Sequence, residues 1–267
     1  MQEAQDFLDE SRALLALIEP LSDEELAAPT AFKNWSVNRV IRHLHMWNHG
    51  AHLGLTDAEG FDAWFQGVAK GLASPGGMGA VELEFCPAEG RALVETWASF
   101  LEPMSGAFAE ADPKHRVKWA GPSMSARSSI SARLMETWAH GLEIYDLCGV
   151  DRVDTDRIRS VVVLGVNTYG WTFKVNGREA PEPRPYLSLT APSGEIWTYG
   201  EESAEERIEG LASHFCQVVT QTRNIADVDL TVAGPNAVEW MRISQCFAGP
   251  PETPPAPGTR TKGARGG

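Results

Sequence analysis

Hydrophobic residues recur with a helical period through the first 150 residues and lose that period afterwards. A period of about 3.6 residues is typical of amphipathic helices, which bury their apolar stripes against one another. Long helices with short links favour an antiparallel four-helix bundle as the simplest architecture. We expect the main helices at about 4–17, 37–47, 57–70, 88–110 and 125–148.

Two helix starts are marked by serine. Ser22 is followed three residues later by Glu25, which is the spacing of a capping box. Ser36 precedes a segment whose apolar residues share one helical face, so it is expected to cap that helix. The residues of this face are Val37, Val40, Ile41, Leu44 and Trp47.

The pattern after residue 150 mixes helices with strands. A hairpin is predicted by the alternating segments PRPYLSLTAP and EIWTYG, which are joined by a PSG turn. Another strand is predicted in DVDLTVAG. Helices are expected at about 156–172, at 204–222 and from Asn236. The predicted fold class is therefore α+β, with a helical bundle at 1–150 and a smaller α+β domain at 151–248. The Pro- and Gly-rich segment 249–267 has no hydrophobic anchor and is expected to be disordered.

Composition excludes several classes of protein. The net charge of −13 argues against a nucleic-acid surface, because phosphate binding needs clustered Lys and Arg. The first twenty residues carry Asp and Glu among the apolar positions, and no apolar run approaches the roughly 18 residues of a membrane span, so neither a signal peptide nor a membrane partner is expected. Four cysteines without paired spacing are typical of reduced thiols and favour a cytoplasmic protein.

The segment RLMETWAHGLEIYD, residues 133–146, places Glu136 and His140 four residues apart on an otherwise apolar helix. Side chains at this spacing lie on one helical face and can offer two ligands to one metal ion. A carboxylate in a bundle interior is costly without a cation. The alternative interpretation is that Glu136 pairs with Arg133 and that His140 is a hydrogen-bonded core histidine.

A third ligand is available from IRHLHMWNHGAH, the only segment in which histidines cluster. His43 lies at the edge of the apolar face of its helix, His45 flanks the other edge, and His49 points away from it. Periodicity favours His43 only slightly over His45, and whether His45 or His49 adds to the site stays open. The alternative interpretation of His45 and His49 is that they are solvated or capping histidines near the end of the helix at Gly50.

NWSVNRVIRHL resembles the tryptophan-to-histidine signature of the mycothiol-dependent maleylpyruvate isomerase N-terminal domain, and METWAHG is similar to the Glu-x3-His segment on its last bundle helix. Both motifs resemble those of the DinB-like superfamily of metal-dependent thiol transferases, to which the isomerase domain belongs. The resemblance implies that His43, Glu136 and His140 are the metal ligands. In the second half, APSGEIWTYG, FCQVVTQTR, DLTVAG and WMRISQCFAGPP resemble an uncharacterised metal-binding subfamily, so the maleylpyruvate substrate does not carry over.

Two histidines and one carboxylate leave part of the coordination sphere of a divalent metal open, as in catalytic sites. Zinc is the expected metal, although the same ligands also suit nickel, manganese and iron(II). A coordinated thiol ionises near neutral pH and becomes a nucleophile. We therefore expect an enzyme that activates a low-molecular-weight, mycothiol-like thiol for transfer to a small electrophilic substrate, or for its isomerisation.

Two other functions stay open. A hydratase, lyase or hydrolase would use water at the open position and no thiol cofactor. A binding module would keep a structural metal in the bundle and dock a ligand or partner on its second domain. The thiol, the substrate, the pathway and the oligomeric state are not readable from the sequence.

Three arginines are candidates for holding an anionic substrate. Arg127 and Arg133 lie on or just before the ligand helix and offer bidentate forks to carboxylate or phosphate; we assign Arg127 a catalytic role and Arg133 a substrate-binding role. Arg133 is also a candidate salt-bridge partner of Glu136. Arg223 resembles in placement a basic residue that the isomerase family draws from its second domain, which implies a catalytic role, with a surface role as the alternative.

Overall fold

The computed structural model describes residues 1–263, which form two compact units. The first unit is Met1–Ile144, and the second contains the described residues from Tyr145 onward. The predicted fold class is confirmed, since the first unit is mainly helical and the second is α+β. The unit boundary falls within one helix, near its carboxyl end, whereas the sequence analysis expects it at about 150.

The first unit contains four long helices, three shorter ones and a small hairpin. The elements are α1 (Gln2–Ile18), α2 (Asp23–Ala27), α3 (Val37–Thr56), α4 (Ala58–Leu72), α5 (Gly77–Phe85), α6 (Gly90–Glu110), β1 (Arg116–Val117), β2 (Met124–Ser125) and α7 (Ala126–Cys148). β1 and β2 pair antiparallel just before α7. Within the stretch from Met1 to Gly263, no helix combines the length and the apolar character needed to cross a membrane.

Both predicted helix caps are present. The Ser22 side chain accepts from the Glu25 amide while the Glu25 carboxylate accepts from the Ser22 amide, which completes a capping box at α2. The Ser36 hydroxyl accepts from the Arg39 amide at 3.2 Å and starts α3. The predicted apolar face of α3 is buried, and this burial fixes the rotation of the helix about its axis.

Contacts along the long helices define how they run. The Ser105 hydroxyl donates to the carbonyl of Ala4 and the terminal amine of Met1 donates to that of Ala109, so α1 and α6 are antiparallel. The Asn38 side chain accepts from the Gly90 amide, and Phe100 lies against histidines further along α3, so α3 and α6 run in the same direction. A parallel pair needs a long crossover connection, and α4 and α5 supply it. The link between α3 and α6 is therefore longer than the short links that the sequence pattern suggests.

Helix α5 is absent from the sequence prediction, which assigns no helix or strand between the helices at about 57–70 and 88–110. It carries glycines at Gly77 and Gly79, and its apolar residues do not follow a clear helical period. Val81 is buried beside Met46 and Trp47 of α3, in a cluster joined by Trp64 and Phe85. Tertiary packing therefore stabilises this helix, and a local pattern does not reveal it.

The second unit alternates helices with a small sheet. Its elements are a 3-10 turn (Asp156–Ile158), α8 (Arg159–Asn167), α9 (Tyr169–Val175), β3 (Tyr186–Thr190), β4 (Ile196–Tyr199), β5 (Arg207–Leu211), α10 (Ala212–Val219), a 3-10 turn (Ile225–Asp227), β6 (Leu230–Ala233) and α11 (Pro235–Ile243). The predicted hairpin is present as β3 and β4, with Gly194 at φ 89° in its turn. The strand predicted in DVDLTVAG is β6.

The helix expected at 204–222 is wrong in its first part, because residues 207–211 form β5. This strand pairs parallel with β3 and antiparallel with β6, giving the sheet order β4-β3-β5-β6. Gly210 has φ 142° and lies close to the carbonyl of Asp229, where a side chain does not fit. Strand pairing with segments distant in sequence selects β5, so the local helical pattern misleads.

Residues 249–263, expected to be disordered, carry no helix or strand but hydrogen-bond to the second unit. Asn224 donates to the carbonyl of Pro255, the Arg260 guanidinium donates to the carbonyl of Gln221, and the Gly258 amide donates to Asp227. The prediction considers hydrophobic anchors only, whereas these anchors are hydrogen bonds between backbone groups and polar side chains. Residues 264–267 of the predicted tail lie outside the described residues.

We expect Ser36→Ala to lower the free energy of unfolding by about 1 kcal/mol, because the variant leaves an amide of the first turn of α3 without its cap. Urea denaturation followed by circular dichroism measures the change. Ser99→Ala is the control, since Ser99 is exposed in the interior of α6 and caps nothing. Equal stabilities for wild type and Ser36→Ala would contradict the assigned cap.

Candidate metal centre

Three side chains from two helices meet inside the bundle unit. The Oε2 atom of Glu136 lies 3.7 Å from Nε2 of His43 and 3.4 Å from Nε2 of His140. One ligand atom of each residue lies within 4.8 Å of the other two. Within residues 1–263 this is the one group of His, Cys, Asp or Glu side chains with such geometry. The sequence-predicted trio is therefore brought together.

Helix geometry explains this convergence. Glu136 and His140 lie one turn apart on α7, and His43 reaches them from α3, which runs antiparallel to α7. The antiparallel direction follows from a second contact, in which Arg133 donates through Nε to Oδ1 of Asn48 at 3.0 Å. The two histidine side chains are each 13% exposed and the Glu136 side chain is 23% exposed. The cluster is thus partly exposed rather than sealed.

Each member of the cluster has a shifted pKa. Burial alone would raise the pKa of Glu136, but hydrogen bonds from His140 and His43 and the charge of Arg133 hold it well below its usual value. Burial works against protonation of both histidines. It lowers the pKa of His140, whereas hydrogen bonds to Glu136 and Glu82 outweigh burial at His43 and raise its pKa. Glu136 is therefore an anion, ready to bind a cation.

Glu82, on α5, holds His43 from behind. Its Oε1 accepts from Nδ1 of His43 at 2.7 Å, and its side chain is 1% exposed. Its other oxygen lies 3.4 Å from Nε of Arg39, whose guanidinium lies over the ring of Trp35 at 4.2 Å. The sequence analysis did not identify Glu82, because its helix was not predicted. An acidic residue between Val81 and Leu83 is the only signal for it, and a weak one.

Two aromatic rings from the loop before α3 cover the histidines. Trp35 stacks on His140 with the ring centroids 5.7 Å apart, and Phe32 meets His140 edge-on at 5.1 Å. Between them Lys33 and Asn34 adopt left-handed backbone conformations, with φ of 50° and 55°. Trp35 is only partly buried and also lies against His43.

The other histidines of α3 lie away from the cluster. His45 and His49 pack on Phe85 and Phe100, and His52 packs on Phe100. The Nδ1 atom of His45 is buried and has no hydrogen-bond partner in the described part of the chain. This geometry favours His43 over His45, which periodicity alone did not decide.

The three predicted arginines occupy different surroundings. Arg127 is half exposed, pairs with Glu3 at 3.1 Å and lies roughly 14 Å before Glu136 along α7. Arg133 is 2% exposed, and burial lowers its pKa to about 10. Arg223, in the second unit, pairs with Asp146 at 2.7 Å. The roles assigned to these arginines stay predictions, and the burial of Arg133 favours its alternative role as a counter-charge to Glu136.

The fold and the site define a helical-bundle protein with a candidate metal centre of two histidines and one glutamate. The family model of the mycothiol maleylpyruvate isomerase N-terminal domain matches residues 7–145. This match spans both ligand helices, and the chain belongs to that family. The resemblance found in the two sequence motifs is thereby confirmed.

Relatives extend the similarity beyond the bundle. Two uncharacterised proteins of Mycobacterium tuberculosis, from strains CDC 1551 / Oshkosh and ATCC 25618 / H37Rv, are each 37% identical over 250 residues, covering 92% of this chain and 95% of the relative. The crystal structure of the mycothiol-dependent maleylpyruvate isomerase, and that of one of its mutants, superimpose with a TM-score of 0.52 at 14% identity. Each match covers 81% of this chain and 87% of the solved one, so the fold is shared.

His45 is expected to make the folded protein sensitive to mild acid. Burial, with a smaller contribution from the charge of His49, lowers the pKa of His45 to about 4, from a value near 6.5 in the unfolded chain. Stability from the neutral ring is therefore present above about pH 6.5 and is lost as the pH falls from there towards 4. Urea unfolding across this range measures the loss.

His45→Phe keeps a ring between Phe85 and Phe100 but takes up no proton. We expect its stability to fall less steeply than that of wild type between about pH 6.5 and pH 4. Parallel pH profiles for the two proteins would show that His45 does not carry the effect.

Proposed function

We propose that this protein is a metal-dependent enzyme that activates a low-molecular-weight thiol for addition to a small electrophilic substrate. The observation that carries the proposal is the group formed by His43, Glu136 and His140, partly exposed in a bundle interior. Membership of a family named for a mycothiol-dependent isomerase supports the choice of a thiol as the reactant.

The donor set fits a divalent metal. Two imidazole nitrogens and one carboxylate oxygen match the ligands of catalytic zinc sites, and Glu136 is kept ionised by its surroundings. The Nε2 atoms of both histidines face the carboxylate, which is the arrangement that ligation requires. A divalent ion bound there lowers the pKa of a coordinated thiol, so that the thiolate forms near neutral pH.

The exposed side of the cluster gives a reactant access. Three protein ligands leave a further coordination position, and the residual exposure of Glu136 supports one that faces solvent. Phe32 and Trp35 border the histidines with apolar rings and limit how much water surrounds them. The site thus combines an accessible position with a partly desolvated wall, which strengthens electrostatic interactions within it.

The proposed reaction adds the thiol across an activated carbon–carbon double bond of the substrate: the sulfur bonds to the electrophilic carbon, the π bond breaks, and the neighbouring carbon takes up the thiol proton. Transfer ends with that thioether. In an isomerisation, the former double bond rotates as a single bond, the sulfur–carbon bond then breaks, the double bond re-forms, and the thiol is released with its proton. The ligand residues bind and orient and do not themselves react. The roles proposed above for Arg127, Arg133 and Arg223 concern holding an anionic substrate group.

We expect the purified protein, produced without a histidine tag, to contain close to one divalent metal ion, with zinc as the first candidate. His43→Ala and Glu136→Gln should each lose most of it, because removal of one ligand from three takes away much of the chelate advantage. Elemental analysis of the folded variants measures this. His49→Ala, in which the substituted ring packs on Phe85, should keep its metal. Full metal content in Glu136→Gln would refute the assigned site.

Thiol binding tests the functional part of the proposal. With cobalt(II) in place of zinc, we expect mycothiol or a simpler thiol to produce a sulfur-to-metal charge-transfer band that the apoprotein lacks. His43→Ala should lose the band together with the metal. A metal-loaded protein that binds no thiol would contradict thiol activation and support water as the reactant. A metal site that accepts no external ligand at all would support the structural role.

A further inference from the structure

The strongest unassigned feature of the molecule is the buried carboxylate behind His43. Glu82 is 1% exposed, and its Oε1 lies 2.7 Å from Nδ1 of His43. Because an ionised carboxylate only accepts hydrogen bonds, the ring proton in this contact lies on Nδ1. The other ring nitrogen, Nε2, faces Glu136 and is the atom that a metal ion held by Glu136 would take.

We propose that Glu82 is a positioning residue of the metal centre, and that helix α5 docks as part of that centre. The proposal rests on the metal site proposed above. A ligating histidine usually donates its second ring N–H to a carboxylate or carbonyl, which fixes the tautomer and the ring orientation. Here the carboxylate comes from a helix that contributes no metal ligand itself.

Glu82 is itself held in place. Its second oxygen lies 3.4 Å from Nε of Arg39, one helical turn before His43 on α3. The Arg39 guanidinium lies over Trp35, and Trp35 stacks on His140. One set of contacts thus links the supports of both histidine ligands. Gly79 contributes to this packing, because a Cβ there would lie 3.3 Å from the Arg39 guanidinium.

These contacts couple the docking of α5 to metal binding. If Glu82 favours the metal-binding tautomer of His43, then a bound metal favours the docked position of Glu82 by the same free energy. The Glu82–His43 contact therefore joins α5 to the ligand helix, together with the apolar packing of Val81.

Three variants on one helix test the proposal. Glu82→Ala removes the acceptor, Glu82→Gln keeps a neutral acceptor, and Glu84→Gln changes an exposed acid two residues away as the control. Zinc affinity is measured by competition with a chelator. Loss of a residue that hydrogen-bonds to a metal ligand weakens metal binding by about 10- to 100-fold, so we expect a loss of that size for Glu82→Ala, a smaller loss for Glu82→Gln and none for Glu84→Gln.

Amide hydrogen exchange across residues 77–85 supplies the second readout. In wild type and Glu84→Gln we expect zinc to slow exchange in α5, and in Glu82→Ala we expect zinc to have no such effect. A purely structural role for Glu82 predicts faster exchange in the variant with and without zinc, while the zinc affinity of the folded protein is unchanged. Unchanged affinity in Glu82→Ala, or equal protection by zinc in that variant, would overturn the proposal.

The outcomes separate this inference from the proposed function. If wild-type protein binds no divalent metal, the proposed metal site itself fails. If wild type binds zinc and Glu82→Ala binds it equally well, the metal site stands and the role of Glu82 fails. Glu82→Gln keeps nearly the same shape, so it provides the comparison if Glu82→Ala does not fold.

Discussion

The burial of an ionised carboxylate between two imidazoles is the interaction on which the rest of the candidate site depends. An isolated carboxylate is expensive to bury, and its charge persists in a bundle only if cations or hydrogen-bond donors surround it. Glu136 has His43, His140 and Arg133 around it, and their combined effect keeps its pKa low despite burial. The same arrangement that makes Glu136 tolerable in the interior suits it to the role of metal ligand proposed above.

The topology of the bundle serves this cluster. α3 and α7 run antiparallel, so an edge of one helix meets an edge of the other over several turns, with Asn48 and Arg133 in contact on the side of the site towards the end of α3. α3 and α6 run parallel, and the chain between them returns through α4 and α5. That return brings Glu82 to the back of His43. The crossover is therefore not a passive connection, since it carries a residue that contacts the site.

Much of the bundle and the three central residues could be predicted from the sequence. The period of α3, the cap at Ser36 and the four-residue spacing of Glu136 and His140 are local features, and local features are readable. The choice between His43 and His45 could not be made from the helical period, because both residues flank the same apolar face. The resemblance to a known family settled it, and the packing of His45 against Phe85 and Phe100 agrees.

What the sequence could not provide depends on contacts between distant segments. Helix α5 forms because it packs against α3. Strand β5 forms because it pairs with β3 and β6. Glu82 was missed together with its helix. The tail 249–263 was judged on hydrophobic content, although its backbone and polar side chains make the contacts. In each case the deciding partner lies far along the chain.

The loop that carries Phe32 and Trp35 has an energetic consequence of its own. Lys33 and Asn34 both hold left-handed torsions, and for a residue such as lysine this conformation costs roughly 1–2 kcal/mol. It persists because the hydrogen bond from the Thr30 amide to the Trp35 carbonyl and the contacts of the two rings over-determine it. The rings of Phe32 and Trp35 are therefore preorganised over the imidazoles, because these contacts outweigh the torsional energy of the loop.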